Sequence, residues 1–176
     1  VAAKWLKIED FKIGQLAIGQ STEGSDDLET YIEDAEVRYL QELFGADLYV
    51  KFLADLDNNS PFLPTTDKFK DVFDPFFEDN SDFIPGGTRR SEGIIEMLKY
   101  FVYFEYVRDQ KFDNTDDGTT VAAQENSREP SFPEQGINKR YNRGQQSYIA
   151  IQWKMIDESA TYDDFNGEGK KPISII

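Results

Sequence analysis

The chain contains neither cysteine nor histidine. The first absence removes disulfides and thiolate nucleophiles, and the second removes the commonest general base and the commonest zinc ligand. Every Ser-His-Asp, Cys-His or H-E-x-x-H scheme is thereby excluded. Positive charge is also scarce: 19 Lys and Arg stand against 34 Asp and Glu, a formal net charge of −15. Non-specific nucleic-acid binding rests on cations that neutralise phosphates, so a surface this acidic repels DNA. Long apolar runs are missing as well. The longest, positions 94–107, falls short of the ~20 residues a membrane span needs and carries Glu96, Lys99 and Glu105. The first 18 positions mix Lys4, Lys7, Glu9, Asp10 and Lys12 with apolar residues and do not read as a signal peptide. A soluble protein with no membrane contact is expected, and the missing cysteine suits a reducing cytoplasm.

What the chain has in quantity is aromatic surface: 14 Phe, 9 Tyr and 2 Trp in 176 residues. Wholesale disorder is normally aromatic-poor, and aromatic residues are favoured at the cores of protein interfaces. The length suits one domain. The expected fold is mostly α, a small helical bundle with extended N- and C-terminal arms and a long irregular insertion. Positions 1–24 read as an extended arm, 25–165 as the bundle with the insertion at 57–87, and 166–176 as a C-terminal docking tail.

Within the bundle, Asp26 and Glu29 form a capping-box pattern, and Leu28, Ile32, Ala35, Tyr39 and Leu43 recur at helical steps. This predicts a first helix from Ser25 or Asp26 to Phe44, with Gly45 as a left-handed cap. A second helix follows over 46–56. In the insertion, Phe69, Val72, Phe73, Phe76 and Phe77 predict a short helix or turn that covers the core and that Pro75 interrupts. Ser91 is expected to cap a third major helix in which 11 of the 14 positions 94–107 are apolar, and a helix apolar nearly all round is a buried one. A long loop is expected over 112–131, then a closing helix to Asp157 that Gly144 weakens locally.

The acidic surplus is uneven. Up to Thr88 there are 7 basic and 19 acidic residues, net −12, and beyond it 12 and 15, net −3. Opposed fields on one chain suit copies meeting head to tail, the arrangement that generates rings. The basic exceptions are therefore the candidate contact residues. Arg89 and Arg90 read either as solvated charges at a helix start or as a fork for a neighbour's carboxylates. Lys139, Arg140 and Arg143, with Arg128 nearby, read as a wet helix face or a subunit contact. Ile173, Ile175 and Ile176 are poor choices for a free tail, and donation to a partner's sheet edge is expected.

Other chemistries fit less well. Asp113, Thr115 and Asp117 alternate before Gly118 like the opening of a calcium loop, but position twelve is Gln124 instead of a bidentate Glu, so a solvated turn is expected. No carboxylate pair stands out among the 34 acids as a glycosidase pair. Gly86-Gly87-Thr88-Arg89-Arg90 lacks the Gly-Lys-Ser/Thr ending of a phosphate loop and reads as a hinge into the central helix. No cofactor or metal is expected.

The order of features resembles a known family. Tyr31-Ile32-Glu33-Asp34-Ala35-Glu36 leads through Leu40 and Leu43-Phe44-Gly45 to Leu48-Tyr49. Arg89-Arg90 then precede the apolar helix, a loop through Val121 to Gln124-Glu125-Asn126-Ser127 follows, and a long helix closes the fold. This is similar to the head-tail connector, or neck adaptor, proteins of tailed bacteriophages, especially the ring proteins of crAss-like phages. The resemblance implies a structural virion protein without enzymatic activity, made in the host bacterial cytoplasm. It implies a homo-oligomeric ring, commonly dodecameric, between the portal protein and the next neck or tail ring, with genomic DNA passing through unbound. The Phe- and Asp-rich insertion and the acidic segment 157–168 depart from the family pattern. Two other readings are an acidic helical adaptor for one cellular protein and a carboxylate-based hydrolase.

Overall fold

The computed structural model describes residues 5–18, 25–58, 61–79, 87–110, 112–115, 118–121 and 131–167. The fold is mostly helical, as expected, with helices α1 (Ser25–Phe44), α2 (Ala46–Asp55), α3 (Asp67–Phe73), α4 (Ile94–Gln110) and α5 (Ser131–Asp157). Two small antiparallel sheets join them: β1 (Phe76–Asp79) with β2 (Thr88–Ser91), and β3 (Phe112–Thr115) with β4 (Gly118–Val121). Among the described residues no helix is long and apolar enough to cross a membrane.

Helix α4 is the axis of the core, packed between α1 and α5. Its Ile94, Met97, Leu98, Phe101 and Val102 are fully buried, as its all-round apolar composition requires. Tyr39 of α1 stacks on Phe101 with centroids 4.3 Å apart, and Tyr141 of α5 lies 4.4 Å from the Phe104 ring. Gly144 sits where α5 crosses α4. A Cβ there would lie 3.0 Å from the Phe101 ring and 3.1 Å from the Tyr100 Cβ, so the sequence's weak helix residue is a contact point. Neither neighbour is the free end of a flexible chain. Gly144→Val should therefore destabilise the fold by about 2 kcal/mol through overpacking, outweighing the gain in helix propensity of several tenths of a kcal/mol; urea denaturation measures the difference.

The joint between α1 and α2 is a single residue. Gly45 has φ +77° and ψ 165°, so it is extended with positive φ, not left-handed helical, and it acts as the N-cap of α2. Its N–H closes α1 on the Gln41 carbonyl at 2.9 Å and its carbonyl accepts from Tyr49 N–H at 3.0 Å. A side chain would also strike the Asn166 Oδ1, which would lie 1.6 Å from a Cβ.

The N-terminal segment, described over residues 5–18, carries two 3-10 turns, Ile8–Phe11 and Gly14–Leu16, and is not a detached arm. It runs back along the bundle with Trp5, Leu6, Phe11 and Leu16 buried. The Glu36 carboxylate of α1 anchors it, accepting from the Trp5 N–H at 2.8 Å and the Leu6 N–H at 2.7 Å.

Part of the 57–87 insertion is regular and structural. Phe69, Val72 and Phe73 of α3 are buried, and the two Phe rings make an aromatic cluster with Trp5, Phe44 and Phe52. The helix ends at Phe73 and Asp74 is extended, as a residue before proline prefers. The expectation that Ser91 caps α4 is corrected. Ser91 ends β2, its Oγ accepts from the Gly93 N–H at 3.0 Å, and Gly93 at φ +87° makes the strand-to-helix turn. Likewise 88–91 is a strand and not a helix hinge, because its register with β1 fixes it. Of the calcium-like stretch, Asp113 and Thr115 lie in β3 and Gly118 in β4, with Asp113 opposite Thr120, whereas Asp117 lies outside the described residues; among the described residues no cluster of acids could hold a metal.

Candidate protein interface

The β1–β2 sheet lies against the C-terminal half of α5, and its register decides which charges face inward. Glu78 and Arg89 are opposite one another on the inner face, Phe77 and Arg90 on the outer. Arg89 forms an ion pair with Asp157 of α5, and Glu78 with Lys154. Lys154 also reaches Glu158 at 3.0 Å and lies 5.3 Å over the Phe76 ring. Partial burial opposes its charge, but the Glu78 and Glu158 bonds outweigh this and raise the Lys154 pKa. Two oppositely directed ion pairs thus fasten the sheet to the helix.

Where β2 turns into α4, Glu92 gathers the basic residues. Arg143 donates to it at 2.7 Å, Tyr100 Oη at 3.0 Å, and Arg90 approaches at 3.7 Å. Partial burial pushes the Glu92 carboxyl upward, but the Arg143 and Tyr100 bonds prevail and hold it below the usual carboxylate range. Burial and the Glu92 charge push the Tyr100 hydroxyl up to about 12. A depressed carboxylate stabilises the fold above its unfolded pKa, about 4.3, and loses that contribution as pH falls through the lower folded value. Glu92→Gln should accordingly flatten the acid limb of a stability-versus-pH curve below about pH 4, which thermal melts over an acid series measure.

The outer surface differs in kind. Arg90 is 69% exposed, with Glu92 beyond ordinary hydrogen-bond length and already held by Arg143. Beside it lie Phe77, 68% exposed, and Trp153 of α5 at 51%, with Ile156, 47% exposed, three residues further along that helix. Two shallow grooves meet at Arg90. One, of about 400 Å³, runs between β2 and α5 along Arg89, Gln146, Ile149 and Trp153. The other, of about 430 Å³, runs along Pro75, Phe77, Arg90 and Glu92. Exposed Trp beside Arg is the composition that dominates protein contacts. The nearby carboxylates Glu78, Glu92 and Asp157 are each ion-paired with a cation of the chain.

The structure thus brings together three of the sequence-derived candidates, Arg89, Arg90 and Arg143. They have unequal roles: Arg89 fastens the sheet, Arg143 holds Glu92, and Arg90 faces outward. Arg140 lies farther toward the start of α5, 4.9 Å over the Tyr103 ring, and Lys139 is exposed beside it. Arg128, Ile173, Ile175 and Ile176 lie outside the described residues. Phe77, Trp153 and Ile156 are absent from the sequence-derived candidate contact residues. The signal was a second apolar stripe on α5, Ile149, Trp153 and Ile156 at steps of four and three. It is offset from the buried stripe of Tyr148, Ile151 and Met155. Comparison with protein-family models, with curated proteins and with solved structures found no match.

Proposed function

We propose that the chain is a structural subunit that works by contact and not by turnover, building a homo-oligomeric ring in the neck of a tailed bacteriophage between portal and tail. The observation that carries the contact reading is the exposed Phe77, Arg90, Trp153 and Ile156 surface. It presents the large apolar and Arg side chains of a binding centre, beside carboxylates neutralised within the chain. The assignment to the phage neck rests on the order of sequence features from Tyr31 to the closing helix. Acidity supports a conduit: −15 per subunit, repeated around a channel, repels phosphates over the ~8 Å that physiological salt leaves unscreened, so DNA slides instead of binding.

Imaging the protein on a virion tests this reading most directly, with density for a ring beneath the portal as the expected result. A binding assay with the portal protein of the same phage complements it. No binding and no ring in the portal's presence would sink the neck assignment. Arg90→Glu is the appropriate charge reversal for contact, because reversing Arg89 would also release the sheet from Asp157.

A further inference from the structure

Among the described residues, and apart from Ile13 at 80% exposure on the N-terminal segment, the large exposed apolar side chains fall on two dissimilar surfaces. One is the sheet and α5 surface just described, with Arg90 at its edge. The other is on α2, where Val50 is 65% exposed and the exposed Asp47 and Ala54 stand three residues before and four after it. Leu63, 45% exposed, lies beside the end of this stripe, its carbonyl accepting from the Asp57 N–H at 2.9 Å. Apolar centre and charged edge are thus repeated with the sign inverted, Arg90 on one surface and Asp47 with Asp57 on the other, where the exposed Lys51 beside Val50 is ion-paired with Asp164.

We infer that these two surfaces are the halves of one head-to-tail contact, so that the Arg90 and Trp153 surface of one copy seats on the Val50 and Leu63 surface of the next. This deepens the contact reading above and rests on it. The occupant follows from charge. A chain carrying −15 repels its own copies, and contact is favoured where a local cation meets a local acid. A two-fold contact through either surface alone would set like edges against each other and leave the other apolar surface uncovered on both copies. A heterologous contact covers both surfaces and propagates, closing into a ring when the rotation permits.

The test uses two variants of the full chain, each disabling one surface at an exposed position: Trp153→Asp and Val50→Asp. Ile156→Asp and Leu63→Asp serve as a second pair should either first variant melt below the wild type. Sedimentation velocity is the readout. The wild type should associate with rising concentration, and each variant alone should remain monomeric. Their equimolar mixture should form 1:1 dimers and nothing larger, because only one intact surface remains on each partner. Arg90→Glu should weaken wild-type association by roughly tenfold, the equivalent of 1.4 kcal/mol, and Asp47→Arg in its mixing partner should restore much of the loss.

Self-association of Val50→Asp into dimers would overturn the inference in favour of a two-fold contact through α5. A wild type that stays monomeric at every concentration, or a mixture that stays monomeric while the wild type assembles, would overturn it as well. These results are distinct from failure of the neck assignment, which shows as absence of the protein from the virion neck whatever its behaviour alone.

Discussion

Phe52→Ala is expected to destabilise the protein by about 4 kcal/mol, within the range for truncating a buried Phe. Phe52 is fully buried at the centre of the aromatic cluster, with ring centroids 4.8 Å from Phe44, 5.5 Å from Phe69, 5.9 Å from Trp5 and 6.3 Å from Phe73. Those rings come from α1, α3 and the N-terminal segment, so the cavity would open where three parts of the chain meet. Each aromatic pair adds about 0.5–1.5 kcal/mol beyond burial, which places the loss toward the upper end. Small domains have only about 5–15 kcal/mol in total, so the urea midpoint should fall by a large fraction. Fluorescence gives an independent readout, because Trp5 is buried in this cluster and Trp153 is exposed. Loss of the blue-emitting component should accompany the truncation. Val50→Ala, on the same helix but exposed, should stay within about 0.5 kcal/mol.

Helices α1, α2 and α5 are legible from apolar periodicity, a signal carried within each segment whatever it packs against, and α4 from its nearly all-round apolar composition. Gly45 and the composition of 94–107 mark their joints and their centre in the same local way. The β1–β2 sheet is not legible for a physical reason: its inward positions Glu78 and Arg89 are charged and carry no apolar alternation. Their partners Lys154 and Asp157 lie more than sixty residues away. Local propensity therefore assigns Arg89 and Arg90 to a hinge, and only the register separates an inward Arg89 from an outward Arg90. The same reasoning covers the N-terminal segment, whose acceptor Glu36 is some thirty residues distant. The interface falls between these cases. Its helix stripe is present in the sequence, but Trp153 and Tyr148 look alike there. Packing of one stripe of α5 on α4 is what leaves the other uncovered.

Glu36→Ala should cost about 3 kcal/mol, and its size follows from what the carboxylate leaves behind. Glu36 is 4% exposed, and one of its oxygens accepts both the Trp5 and the Leu6 N–H. Removing it strands two buried donors, each costing about 1–3 kcal/mol when unsatisfied. Relaxation of the segment toward water recovers part of that. Glu36→Gln keeps the shape and one carbonyl acceptor but loses the charge, and hydrogen bonds to charged groups are about twice as strong as neutral ones. An intermediate loss is expected. Tyr49 reports the site separately. Burial first, and the Glu36 charge second, raise its hydroxyl pKa, so both substitutions should lower that value in a spectrophotometric titration. Hydrogen exchange distinguishes local from global effects. If the segment opens by itself, the Trp5 and Leu6 amides should lose protection while those of α4 keep theirs. Equal loss in both would mean that residues 5–18 unfold only with the bundle and belong to its cooperative unit.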